Sequence, residues 1–329
     1  MRAALLYITL GSTLASSTTP QKENNDGIHL AISPPCGTLS ENVTNVNVGI
    51  DLRDIDTIVS FGDSYTDGGA HDGVLCLCLF YLSTENGTRA GGRITNGYVW
   101  IEHLANMTGR REALLMDYAI SGAVVNASLW PNTAAATGTS ASFVNEMATF
   151  QNQTHDNLHP DTTLYSIFFG INDYSVSLTQ GNELPAAAED LLGLIDVLTA
   201  PPYKAQHVLG LDDYGRGNRT MEGEVYKKIV FDGMDTRHRA ALKENKIMKV
   251  AYVDFAPLWD AVFGEPGYTA FGYSSDGFCF PSAGQLTTVD EECLDPDTTF
   301  YWLHGHPSKQ THKIMADYVY QVLSRCRLQ

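Results

Sequence analysis

The sequence predicts one α/β domain, a three-layer α/β/α sandwich with a central, mostly parallel five-stranded sheet. Two observations carry that prediction. Short, near-continuous apolar runs alternate along the chain with longer stretches of helical spacing. The apolar runs have no polar face, so each strand must be covered on both sides, as in parallel sheets. Size agrees. The chain has 329 residues, 43% hydrophobic and 18% charged, enough for one sizeable core, and no repeat or linker divides it.

Thr57-Ile58-Val59-Ser60-Phe61, stopped by Gly62, is the first strand. Residues 97–107 place Val99, Ile101, Leu104 and Ala105 at helical spacing. Leu114 to Ile120 reads as the second strand and Phe143 to Gln153 as a modest helix. Thr163 to Phe169, stopped by Gly170, is the clearest strand. Ala186 to Leu198 is Ala/Leu-rich and helical, with Pro185 in its first turn. Gln206 to Leu211 is the fourth strand, Met221 to Asn245 a long helix, Lys249 to Phe255 the fifth strand, and Lys309 to Cys326 a closing helix.

The N-terminus has Arg2, an apolar run from Ala3 to Leu10 and a small-residue exit, the pattern of a secretory signal peptide over 1–17. Residues 18–51 are polar and without clear periodicity, a processed or loosely packed leader, and the folded domain is expected over 52–329. Sequons begin at Asn42, Asn86, Asn106, Asn126, Asn152 and Asn218, as in a secreted, extracellular glycoprotein. In an oxidising compartment the cysteines Cys36, Cys76, Cys78, Cys279, Cys293 and Cys326 can pair in fifteen ways. Cys279 and Cys293 share one Gly/Ser/Asp-rich segment and are the expected pair, whose loop contributes about 3 kcal/mol. Cys76 and Cys78 have no further ligands at finger-like spacing, so no metal is expected.

With 21 Lys and Arg against 38 Asp and Glu, the net charge is −17. That field repels phosphate backbones and anionic lipid surfaces, so no nucleic-acid partner and no stable membrane insertion are expected. A monomer is the expected state.

In open α/β sheets ligands bind outside the carboxyl ends of the strands, and three segments there carry chemistry. Phe61-Gly62-Asp63-Ser64-Tyr65-Thr66-Asp67 puts a serine on the turn after the first strand, its Oγ exposed near a helix N-terminus. Gly170-Ile171-Asn172-Asp173 puts an amide after the third parallel strand, able to aim a donor into the same space. His304-Gly305-His306-Pro307 precedes the last helix. Taken singly, these equally describe a capping serine, an ordinary turn and structural histidines.

Together, in this order, they resemble the SGNH, or GDSL-type, hydrolase family, from about Thr57 to Cys326. The first block of that family resembles Phe61 to Asp67, the second Asp117-Tyr118-Ala119-Ile120-Ser121-Gly122-Ala123, the third Gly170 to Asp173, and the fifth His306-Pro307. Gly91-Gly92-Arg93-Ile94-Thr95-Asn96-Gly97-Tyr98-Val99-Trp100 resembles the segment before the first long helix in fungal carbohydrate-esterase family 16 acetylesterases and their lipase-like relatives.

The resemblance implies a flavodoxin-like fold and acyl-ester hydrolysis without a cofactor. Ser64 would be the nucleophile and His306 its base and acid. The backbone N–H groups of Ser64 and Gly122 and the amide of Asn172 would form the oxyanion hole, and Asp63, Gly170 and Asp173 would support the turns. No G-x-S-x-G, P-loop, G-x-G-x-x-G or H-E-x-x-H competes with this reading.

One departure stands out. The family carries an aspartate three residues before the histidine; here that residue is Leu303. Three readings remain open: a Ser–His dyad, an acid from elsewhere such as Asp295 or Asp297, or an impaired enzyme. A second irregularity is the apolar run 73–82, where a polar loop belongs. The expected substrate is a small-molecule or oligosaccharide ester, most simply an acetylated plant cell-wall carbohydrate. A lipolytic esterase for longer chains and a catalytically silent carbohydrate-binding relative are the alternatives. Tyr65, Trp100, Trp130 and Trp302 are available to stack a sugar ring, although core packing explains most of them equally well.

Overall fold

The computed structural model describes residues 27–40, 42–73, 91–108, 113–156, 158–280 and 293–328. The signal-like N-terminus, Asn86, Cys76, Cys78 and the apolar run from residue 74 onward lie outside them.

The main sheet contains β1 (Val46–Val48), β2 (Thr57–Gly62), β3 (Leu114–Asp117), β4 (Thr163–Phe168), β5 (His207–Asp212) and β6 (Lys249–Asp254), in the order β1-β6-β5-β4-β2-β3. β2 to β6 are parallel, as their unbroken apolar runs require. Side chains alternate between two cores. Ile58, Leu164, Phe168, Leu209 and Val253 face one side with the buried stripes of α1 (Trp100–Ala105), α7 (Ala256–Phe263) and α8 (Lys309–Arg325). Val59, Phe61, Tyr165, Ile167, Val208 and Tyr252 face the other with α3 (Phe143–Gln151), α5 (Leu184–Thr199) and α6 (Met221–Lys243). The three-layer α/β/α arrangement is therefore as the sequence predicts.

The sheet has six strands, not five. The sixth, β1, comes from the segment expected to be a loose leader and runs antiparallel to β6. Its asparagines disguise it. Asn45 is fully buried, donating to the Tyr318 hydroxyl (2.9 Å) and accepting from the Asp254 N–H (2.9 Å). Asn47 is fully buried too and donates to the carbonyls of Ile50 and Leu323. Buried amides whose groups are all bonded cost little, but in a sequence they look like loop residues.

A disulfide joins Cys36 to Cys326, 290 residues apart, and another joins Cys279 to Cys293 as expected. Replacing Cys36 and Cys326 together by serine should destabilise the fold by about 2–5 kcal/mol, because cross-links stabilise chiefly by restricting the unfolded chain. Urea unfolding of the double variant checks this; an unchanged midpoint would show that packing alone holds the N-terminal segment.

Two more helices were hidden by polar or small residues: α2 (Thr133–Thr137) and α4 (Ile171–Gln180). A small second sheet follows α7: β7 (Ser275–Phe280) pairs parallel with β8 (Thr299–Leu303), and β8 antiparallel with β9 (His306–Pro307). α8 begins directly after β9 and buries Ile314, Met315, Tyr318, Val319 and Val322, each contributing about 2 kcal/mol. That docking fixes where His306 stands. Among the described residues no helix is long and apolar enough to cross a membrane.

Candidate active site

Strand order assembles the site. β4, β2 and β3 are neighbours, so the residues just past their carboxyl ends, Asn172, Ser64 and Gly122, meet at one edge. The chain leaves β2 through a single turn in which the N–H groups of Thr66 and Asp67 both donate to the Asp63 carbonyl. The sequence led us to expect an exposed serine at a helix N-terminus. Instead the turn stops after one round, because the Asp117 and Asp67 carboxylates take the next N–H groups, those of Gly68 (2.7 Å) and Gly69 (2.8 Å). Ser64 is correspondingly buried, with its Oγ 3.0 Å from Nε2 of His306.

Buried carboxylates hold the loops in place. Asp67 Oδ2 accepts the N–H (2.8 Å) and hydroxyl (2.6 Å) of Ser121, tying the Ser64 turn to the loop that carries Gly122. Asp63 accepts the Tyr65 N–H (3.0 Å) and one N–H of Asn172 (3.2 Å). Glu146, from α3, accepts the Gly62 N–H (3.0 Å) and the Ile120 N–H (3.2 Å), joining the ends of β2 and β3 from below. Asp173 takes the Val125 N–H with both oxygens and the Trp130 indole N–H with one. Gly122 has φ +84, and a Cβ there would press on the Thr137 carbonyl, so only glycine brings this N–H to the site unstrained. Gly170 opens α4, its carbonyl accepting the Tyr174 N–H.

The Asn172 amide donates to the Ala123 carbonyl at 2.9 Å and to Asp63 at 3.2 Å. An oxyanion donation by this side chain therefore has to replace the longer of the two contacts.

Burial in this cluster raises acid pKa values. It pushes Asp63 and Asp117 up to about 7 and Asp173 to about 6, against the opposing pull of their N–H donors. Glu146 is also raised well above the ordinary range, by burial. The folded state thus holds protons that the unfolded chain releases above pH 4. Their stabilisation is complete below pH 4 and is lost as pH rises through about 7. Asp51, lowered by its bond to Arg53, acts oppositely below pH 4, and His103, His207 and His312, all lowered by burial, act oppositely as pH falls through 6.5. Because six buried carboxyls are raised and three buried imidazoles lowered, thermal unfolding should occur at a higher temperature at pH 5 than at pH 8; a midpoint that rises toward pH 8 would refute this.

His306 stands on a short hairpin. Gly305, at φ +73, makes its turn, and a Cβ there would run into the Arg216 guanidinium. The Gly305 carbonyl accepts the Tyr65 hydroxyl (2.8 Å) and Arg216 Nη1 (3.2 Å). The Pro307 carbonyl accepts Thr95 Oγ1 (2.9 Å), and the Asn96 side chain accepts the Lys309 N–H (2.8 Å). The carbonyls of the residues before and after His306 are thus anchored, one by the neighbour of Ser64 and one by the Gly91–Trp100 segment. Leu303 is fully buried in an apolar cluster with Cys279, Phe280 and Trp302. Asp297 accepts from Gln310 (2.9 Å) and pairs with Lys309 (2.9 Å), while Asp295 is exposed. His312 is buried and accepts the Trp100 N–H, a structural role.

Tyr65, Trp100, Trp130 and Trp302 are all buried and present no face to a ligand. Beside the Gly305 turn, however, lies an open groove of about 380 Å³ bordered by Arg216, Phe278, Tyr301 and His304. Sequence reasoning missed it, as it missed Glu146, Asp67 and Arg216. Only Asp67 was in a quoted motif, and nothing local gave the others a role.

Among the described residues no group of histidine, cysteine and acidic side chains is arranged to hold a metal ion. The model of the GDSL-like lipase/acylhydrolase family matches residues 58–222. No curated protein matches the chain. Several solved structures are similar at low identity. An alpha/beta hydrolase enzyme from the metagenome of Lake Arreo is 17% identical over 82% of this chain and 96% of its own, with a TM-score of 0.43. A phospholipase A1 from Streptomyces albidoflavus is 15% identical over 82% and 98%, with a TM-score of 0.32. The family match spans the Ser64 turn, the Gly122 loop and Asn172, and the chain belongs to the GDSL-like lipase/acylhydrolase family.

Proposed function

We propose that this chain is a serine esterase that removes short acyl groups, acetyl foremost, from carbohydrate esters. The observation that carries the reading is the 3.0 Å contact between Ser64 Oγ and His306 Nε2 at the carboxyl edge of three adjacent parallel strands. His306 takes the proton as Ser64 Oγ adds to the ester carbonyl. The resulting oxyanion meets the N–H groups of Ser64 and Gly122 and the Asn172 N–H released from Asp63, each donor worth about 3 kcal/mol. His306 then gives its proton to the departing alkoxide, the C–O bond breaks, and water repeats the sequence on the acyl-enzyme.

The proposal treats Ser64 and His306 as a dyad. Leu303 fills the position where the family pattern has an acid, and the imidazole is placed through the anchored peptides of Gly305 and Pro307. Export is part of the reading: two disulfides join distant or loop segments, and the sequon residues Asn42, Asn106, Asn152 and Asn218 are exposed. The site is complete within one chain, consistent with a monomer.

Chromogenic esters of increasing acyl length test the substrate reading. We expect a steep fall in kcat/KM beyond two to four carbons. A preference for octanoyl over acetyl ester would move the assignment to a lipolytic esterase. Turnover no higher than that of Ser64→Ala on every ester would mean a silent relative.

A further inference from the structure

The groove beside Gly305 has no part in the chemistry described so far, and its position relative to the proton transfer says what it holds. His306 returns its proton to the leaving oxygen, so the alcohol half of the ester lies on the His306 side of Ser64. The groove lies against the hairpin that carries His306, since the two residues before it, His304 and Gly305, are in its lining. We propose that this groove is the subsite for the alcohol half of the substrate, and that it takes a neutral hydroxylated ring, one sugar unit. The inference rests on the esterase reading above.

The chemistry of the walls selects that ligand. Phe278 and Tyr301 are register partners in the paired strands β7 and β8, so they stand side by side, and Phe278 is 43% exposed. Phe263 stacks against Tyr301 (6.1 Å, 27°) and is 47% exposed. Aromatic faces left open to water are suited to the C–H face of a sugar ring. Arg216, Asn218 and Asp276 share the lining and supply donors and an acceptor for hydroxyl groups. A purely aliphatic alcohol offers no hydroxyls to bond those polar groups, and the Asp276 carboxylate disfavours an anionic headgroup beside Arg216. The volume, about 380 Å³, is at the small end of ligand sites.

The test keeps the acyl group fixed and changes the alcohol. Wild type, Phe278→Ala and Asp276→Asn are assayed on ethyl acetate and on a mono-acetylated methyl xylopyranoside. For the xyloside we expect each variant to raise KM about tenfold with kcat nearly unchanged. For ethyl acetate, kcat/KM should stay within twofold of wild type. Equal losses on both substrates, or a fall in kcat alone, would mean that the substitutions act through the His306 hairpin, and would overturn the subsite. No change on either would also overturn it. Binding of deacetylated methyl xylopyranoside to Ser64→Ala, measured by calorimetry, separates the two levels of the argument. Binding that disappears in Ser64→Ala/Phe278→Ala supports the groove even if the esterase reading fails; absence of binding to Ser64→Ala refutes it even if the wild type is an active esterase.

Discussion

Ser64→Ala is expected to lower kcat on acetyl esters by about 10⁴- to 10⁶-fold while leaving the fold intact, the scale seen when an activated serine is removed. The hydroxyl bonds Nε2 of His306. The turn that carries it is held by other atoms, namely the Asp63 carbonyl and the Asp63, Asp67 and Asp117 carboxylates. Alanine therefore deletes the proposed nucleophile without loosening its support. His306→Ala should cost nearly as much, and the double variant should be no worse than either single one, because base and nucleophile act as one unit. Steady-state kinetics with purified variants, alongside circular dichroism for the fold, decides the matter. If Ser64→Ala retained a tenth of the wild-type rate, the Ser64–His306 mechanism would be wrong.

The second large effect is expected from a residue that never touches the substrate. Glu146→Leu removes the side-chain acceptor of the buried Gly62 N–H and leaves the Ile120 N–H with the Gly62 carbonyl alone (3.1 Å), and an orphaned buried donor costs about 1–3 kcal/mol. A loss of about 1–3 kcal/mol in unfolding free energy follows, a substantial share of the stability of an ordinary domain. Activity should fall as well, since Gly62 precedes the Ser64 turn and Ile120 precedes the Gly122 loop. Glu146→Gln keeps one acceptor and turns an N–H₂ toward the other donor, so it should lose roughly half as much. Urea unfolding and kcat/KM measured side by side test this. Equal stability of Glu146→Leu and wild type would show that water takes over the Gly62 N–H.

The contrast between Ser64 and Glu146 shows what the sequence makes legible. The five parallel strands were readable because burial on both faces writes an unbroken apolar run such as Thr163 to Phe168. β1 was not, because the buried Val46 is flanked by asparagines, Asn45 and Asn47, whose partners Tyr318 and Leu323 lie more than 270 residues away. α4 was read as a turn for a related reason: Asn172 and Asp173 are polar residues whose neighbours in the fold lie on other strands. Of the site, Ser64, Gly122, Asn172 and His306 stood out through their order in the chain. Glu146 is one acid on an amphipathic helix, and nothing in its surroundings along the chain distinguishes it from a solvated one. Arg216, Phe278 and Tyr301 come from the end of β5, from β7 and from β8, and only the folded backbone brings them to one groove.

The bond between Cys36 and Cys326 makes the folded chain a ring in all but name. The two Cα atoms are 5.0 Å apart, and on either side of them Asn47 and Arg327 meet in a short parallel bridge. A ring can be cut elsewhere. The chain reopened at the exposed Asn245–Lys246 turn and closed by a linker across the Cys36–Cys326 junction should still present Ser64 to His306, because neither hairpin nor strand order depends on the position of that opening.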